Sequence, residues 1–294
     1  MNRSTPATPD DPAFATYVRR VTHGSHDHHA PFFLTPAYDE QMQWLIFVAY
    51  PDRQPQIRVE VRNTGAQRPL TERADLHPWS LHPSRDGRFV YFTAGTSGYR
   101  VDVETGVETR LLDFPGGEAR GEGMVAAGMG TTALSCDDRY WALKVRRGKK
   151  MSLVVLDTVS GDTREIVTTD VVAHVQFHPE DPTLFYFAGN FKERMWTVRV
   201  DGSELKAHYD RKPGEWITHE SWLPGSDELM FVEWPHRVRA LHVPTGRVRE
   251  IVKTNAWHPS ASPDGRLIVA DTNAPDRGLI LFPSDGGADP VALC

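Results

Sequence analysis

Apolar runs of five to seven residues recur along the whole chain, each closed by a glycine, proline or aspartate turn. No apolar spacing of three and four persists long enough to predict a long amphipathic helix. WLIFVAY (44–50), RFVYFTAG (88–95), LFYFAGN (184–190), ELMFVEW (228–234) and LIVADT (267–272) are nearly continuous in Val, Ile, Leu, Phe and Tyr. That composition predicts strands covered on both faces. A second set follows them: MSLVVLDT, MWTVRVD, RVRALHV and GLILFPS. A third and more polar set, ETRLLDF, TREIVTT and RVREIVKT, comes after that and predicts strands at a sheet edge.

Two turn signals alternate between these runs. One is of the Ser/Pro-Asp-Gly kind: SRDGR (84–88), SCDDR (135–139), HPEDP (178–182), PGSDE (224–228) and SPDGR (262–266). The other ends in glycine at positions 65, 106, 161, 202, 246 and 286, a period of roughly forty to fifty-five residues. Two turns per unit, four strands per unit and this period predict an all-β fold, a β-propeller with six visible four-stranded blades. The blades fill residues 29–294, and TYVRRVT (16–22) reads as a spare strand that could complete the last one. The expected organisation is an extended segment at 1–15 and a single propeller domain over 16–294. The ring either closes with six blades or lacks a seventh at its C-terminal end.

Composition narrows the functional classes. The net charge is -6 with no basic block, which argues against nucleic acid as a partner. The N-terminal MNRSTPATPDDP has no apolar core of a secretory signal, and no run of about eighteen apolar residues exists for a membrane span. Cys136 and Cys294 are the only cysteines, so neither a disulfide framework nor a thiolate metal site is expected. The expectation is a soluble cytoplasmic protein.

Candidate chemistry comes from histidine. In a propeller the first strand of each blade lines the central channel. Aligned on the proline before the turn, these strands begin at His77 (HPWSLHP), His174 (HVQFHP), His219 (HESWLP) and His258 (HPSASP), and HAPFFLTP begins at His29. Only the third unit, GMGTTALS, lacks one. Radial repetition predicts that these imidazoles converge, and such a cluster could bind a divalent metal, supply a general base or simply pack between blades. The THGSHDHHAP stretch (22–31) divides accordingly, with His29 in the channel set and His23, His26 and His28 in a connecting loop. Nucleophile-elbow, Walker, zinc-protease and dinucleotide motifs are absent. GGEARGEGMVAAGMG (116–130) reads as an inter-blade loop and RRGKK (146–150) as a hairpin tip.

The stretch VAHVQFHPEDPTLFYFAGNFKERMWTVRVDGSE, followed by WITHESWLPGSDELMFVEW, resembles the oligogalacturonate lyases, a family of seven-bladed propellers with TolB-like repeats. The resemblance rests on the H-x-Q-F-x-P turn, the Arg-Met-Trp strand and the Thr-His-Glu strand ahead of a tryptophan. It implies cleavage of short pectic oligogalacturonides by β-elimination. His219 would be the base that takes the C5 proton, Arg194 would lie near the uronate, and His258 would ligate a Mn²⁺ ion. His29, His77, His174, Gln176 and Trp222 are candidate substrate contacts, with Trp196 a further candidate stacking platform. Glu220 would orient the base or cap its strand. The family's remaining metal ligands lie in a Gln-x-x-His-x-His segment of a last blade, and this chain ends before it. Three readings follow: an inactive form lacking a blade, a six-bladed ring with His29, His77 or His174 as substitute ligands, or a non-catalytic propeller that binds a sugar acid or a protein. An open ring would expose strand edges and favour oligomers.

Overall fold

The computed structural model describes residues 19–22, 24–114 and 131–293. Their fold class is the β-propeller, all-β with six four-stranded antiparallel blades. Each blade is a meander whose strands pair in chain order, and no α-helix occurs among the described residues. The second strands are the apolar runs, such as Trp44–Ala49, Phe89–Ala94, Leu184–Ala188 and Glu228–Trp234. The fourth strands are the half-exposed set, such as Glu108–Asp113 and Thr163–Thr169. All four strands of the sixth blade come from residues 260–292, and residues 19–22 form no strand. The rest of the expected spare strand, and the 116–130 loop, lie outside the described residues.

The two turn signals work by local hydrogen bonding. In SRDGR, Ser84 Oγ donates to Asp86 (2.6 Å) and accepts from the Phe89 N–H (2.9 Å), which closes the turn into the second strand. Ser135 and Ser262 repeat the bond to Asp137 and Asp264. At the equivalent of the turn glycine, Asp138 adopts φ 60°, a conformation that aspartate tolerates better than most residues. In the second turn type, Asp102 and Asp157 each accept two backbone N–H groups of the residues that follow.

The chain divides into two compact units. One comprises His26–Arg211, and the other comprises Lys212–Cys294 with the N-terminal residues up to Ser25. In the first unit, the apolar faces of successive blades form continuous cores. Ile46, Val48, Ile57 and Val59 meet Val90, Phe92 and Val101, and the third and fourth blades share Leu153, Val155, Phe185 and Phe187. In the second unit, Met230, Val238 and Ala240 of the fifth blade meet Ile268, Ala270, Ile280 and Phe282 of the sixth. Stacking of this kind buries both faces of a blade, which is why the strand runs carry so little polar alternation.

Candidate active site

In the Lys212–Cys294 unit, the fifth blade opens with the strand Trp216–Leu223. Its pairing with the second strand shifts between Thr218 and Ser221, so His219 and Glu220 form a bulge opposite one partner residue. His219 has φ 52°, an uncommon value for a residue with a Cβ, and the bulge re-aims its ring out of the sheet pattern. The residue is 9% exposed, and its ring packs against Trp257 and His258. Trp257 stands edge-on at 4.4 Å between centroids, and His258 lies at 4.4 Å, tilted by 56°.

His258 is held by Asp271, the last residue of the strand Leu267–Asp271. The carboxylate accepts the His258 backbone N–H at 2.6 Å and the ring Nδ1–H at 2.9 Å. These bonds assign the proton to Nδ1 and the ring lone pair to Nε2. Burial works against ionisation of Asp271, but the two bonds from His258 outweigh it and hold the carboxyl below its usual range. An imidazole oriented by a carboxylate is the usual arrangement of both a catalytic base and a metal-ligating histidine. Glu220, beside His219, is fully buried.

The His26–Arg211 unit carries the other histidines. His174 sits in the matching bulge of the fourth blade, between Ala173 and Gln176, with φ 50°. Its Nδ1 accepts from Arg194 Nη2 at 3.4 Å, and both residues are buried. A guanidinium has no acceptor, so this contact requires a neutral His174 protonated on Nε2. Phe32 and Phe33, from the first blade's connection, flank the His174 ring at 5.9 and 5.8 Å. Gln176 donates back to the His174 carbonyl at 3.2 Å. His29 is stacked on Trp79 at 4.0 Å, its Nδ1 donates to the Ala30 carbonyl at 2.7 Å, and its Nε2 meets the Tyr50 hydroxyl at 3.1 Å. Burial lowers its pKa despite the carbonyl, so both nitrogens are engaged in the neutral form. His77 Nδ1 pairs with Thr93 Oγ1 at 2.9 Å. His28, expected in a connecting loop, instead pairs with Ala49 in the first blade's inner strand.

The histidines do not occupy one register. His174 and His219 sit in matching bulges with one extra residue, the first strand at His258 also carries one extra residue, and the strand at His77 carries three. The strands at His77 and His258 agree in one respect. The His77 N–H donates to the Thr93 carbonyl and the Trp257 N–H to the Asp271 carbonyl, so Thr93 and Asp271 are equivalent, and each also holds an imidazole. Trp222 is 6% exposed, within the fifth blade. Trp196 stacks on Phe187 at 6.2 Å and donates to the Glu193 carbonyl. A cavity of about 440 Å³ is lined by Tyr140, Asp157, Arg164 and Asp201. It touches none of these histidines and lies between outer strands of neighbouring blades, where splayed sheets leave clefts, so the histidine clusters are the better site.

Asp271 and Trp257 were not anticipated from the sequence. The aspartate ends an apolar strand, and its likeness to Thr93 becomes visible only when the two blades are superposed by hydrogen bonding. Among the described residues, no group of three or more His, Cys, Asp or Glu side chains is arranged to hold a metal ion. None of the described helices is long and apolar enough to cross a membrane.

By sequence, the chain is similar to an oligogalacturonide lyase of Pectobacterium atrosepticum, 25% identical over 131 residues, which are 40% of this chain and 34% of that protein. It is also similar to an oligogalacturonate lyase of Dickeya dadantii, 27% identical over 88 residues, 28% of this chain and 23% of that protein. The matched stretches thus span about a third and a quarter of these curated relatives. By fold, an oligogalacturonate lyase solved in complex with manganese superposes with a TM-score of 0.83 at 20% identity, over 95% of this chain and 81% of that one. The Vibrio parahaemolyticus oligogalacturonate lyase gives 0.80 at 19% identity, over 94% and 80%. TolB of Acinetobacter baumannii gives 0.53 at 15% identity, over 79% and 58%. No protein-family model matches the chain. The structural likeness establishes the fold, and the resemblance read from the residues is borne out by neighbours in sequence and in fold that carry the same name.

Proposed function

We propose that the chain cleaves short oligogalacturonides by β-elimination, with His219 as the base. The observation that carries this reading is the bulge at His219. It turns an imidazole out of the sheet register and packs it against Trp257 and His258, the latter oriented by Asp271. His219 takes the C5 proton of a galacturonate unit, and the C5–H electron pair becomes the C4–C5 double bond. The C4–O bond breaks, and the departing sugar oxygen acquires a proton. A general base near neutral pKa contributes about 10²–10⁴-fold to such a step. The developing negative charge on the uronate carboxylate needs cationic partners. The resemblance assigns Arg194 to the uronate, and within its own unit the contact with His174 limits its freedom.

A manganese ion, as in the solved relative, would supply further charge neutralisation. His258, with Nδ1 on Asp271, has the oriented form of a metal-ligating histidine. The described residues offer no set of three donors around it, so they do not fit a metal site. That same deficit favours the second reading, a non-catalytic propeller that binds a sugar acid.

The two readings separate in one experiment. Digalacturonate is supplied with and without Mn²⁺, and the ultraviolet absorbance of the unsaturated product is followed. Elimination predicts a rise that His219→Ala reduces by about 10²-fold or more, with circular dichroism unchanged. A wild-type protein that binds digalacturonate calorimetrically but yields no absorbance under either condition overturns the lyase reading in favour of the binding one.

A further inference from the structure

Three tryptophans from three segments of the chain crowd beside His219. Trp216 begins the fifth blade's first strand, and Trp234 is its cross-strand partner at the end of the second. Trp257 comes from the connection into the sixth blade. The Trp216–Trp234, Trp234–Trp257 and Trp216–Trp257 centroids are 5.2, 5.7 and 6.5 Å apart, with interplanar angles of 69°, 73° and 75°. Trp257 also touches His219, so one row of contacts runs from Trp216 through Trp257 to the candidate base.

Trp234 and Trp257 are half-buried, but Trp216 is 46% exposed. Leaving that much indole in water forfeits hydrophobic stabilisation, and blade packing alone gives no reason for it. The adjacent tryptophans hold the ring in place from one side, so the exposed part is a preorganised surface rather than a mobile side chain.

We propose that the exposed face of Trp216 is a stacking subsite for the galacturonate ring next to the one presented to His219. This rests on the elimination reading of His219. The C–H groups on one face of a pyranose match an indole, while its carboxylate and hydroxyls stay in water. Such a contact adds affinity with no buried charge to compensate. The trio is not a cage for a cation, because its rings already meet edge to face at 5.2–6.5 Å and leave no space between them. One half-exposed indole is also a smaller apolar patch than a protein partner needs.

The test is calorimetric titration of trigalacturonate into wild type, Trp216→Ala and Trp216→Phe, with folding checked by circular dichroism. The alanine variant should bind trigalacturonate about five- to tenfold more weakly, and the phenylalanine variant should stay within about twofold of wild type, as expected for an aromatic stacking contact. Trigalacturonate should also perturb the tryptophan emission of wild type more than that of Trp216→Phe. Wild-type binding that Trp216→Ala leaves unchanged overturns the subsite alone. Wild-type protein that binds no galacturonide overturns both the subsite and the reading on which it rests.

Discussion

Asp271→Asn tests the oriented imidazole directly. The carboxylate accepts two bonds from His258, from the backbone N–H at 2.6 Å and from ring Nδ1–H at 2.9 Å. An asparagine has one acceptor oxygen and one amide donor, so it can satisfy only one of these groups without a change in protonation. If its oxygen keeps the backbone bond, the amide faces Nδ1, and the His258 proton moves to Nε2. Charge-assisted bonds of this kind contribute roughly 1.5–3 kcal/mol. The His258 and Asp271 side chains are 35% and 40% exposed, and screening cuts this to about 1 kcal/mol. Because the folded-state pKa of Asp271 is depressed, the stabilisation is present above the unfolded carboxyl pKa of about 3.9 and lost as pH falls through the lower folded value. Urea denaturation followed by tryptophan emission should therefore show a deficit of about 1 kcal/mol for the variant at pH 7, shrinking as pH falls through the depressed carboxyl pKa. Nitrogen-15 spectra of His258 should report protonation on Nδ1 in wild type and on Nε2 in the variant. A variant with the wild-type tautomer, or a deficit just as large in acid, would refute the pairing.

Three further substitutions probe the scaffold. Burial pushes His82 down to about 4, so between roughly pH 6.5 and 4 the unfolded chain binds a proton that the folded chain does not. Folding stability should fall by up to about 3 kcal/mol across that window, and His82→Gln should flatten the slope in denaturation midpoints measured at stepped pH. Gly265 and Gly246 both have positive φ, but a Cβ at Gly265 would collide with the Pro224 carbonyl oxygen, whereas one at Gly246 would meet nothing within 4 Å. Gly246→Ala should cost about 1 kcal/mol for its backbone alone, and Gly265→Ala about 2–4 kcal/mol. Equal melting temperatures for the two variants would contradict the close approach of the fifth and sixth blades.

The fold was legible because its signals are local and repeated. Ser84, Ser135 and Ser262 close their turns with bonds that span five residues or fewer, and the same letters mark each turn in the chain. Runs such as Phe89–Ala94 and Glu228–Trp234 announce strands covered on both faces. As candidates, His174, His219 and His258 come from the repeats, and Arg194, His219 and His258 from the family likeness. Their geometry comes from neither. Alignment on a proline put the histidines in one register, but the inner strands slip by one residue at His174, His219 and His258 and by three at His77, and His77 aligns with Trp257 rather than with His258.

The sequence by itself determined the period, the strands, the turns and the residue types available for chemistry. Each of these depends on a few neighbouring residues, whose hydrogen bonding and burial pattern repeat wherever the letters do. Only the tertiary structure decided that Asp271 orients His258, that Arg194 requires a neutral His174 and that Trp257 links an exposed tryptophan to His219. Those contacts join residues that are thirteen to forty-one positions apart. Their existence depends on how strands shift against one another and how blades stack, and no short stretch of the chain carries that information.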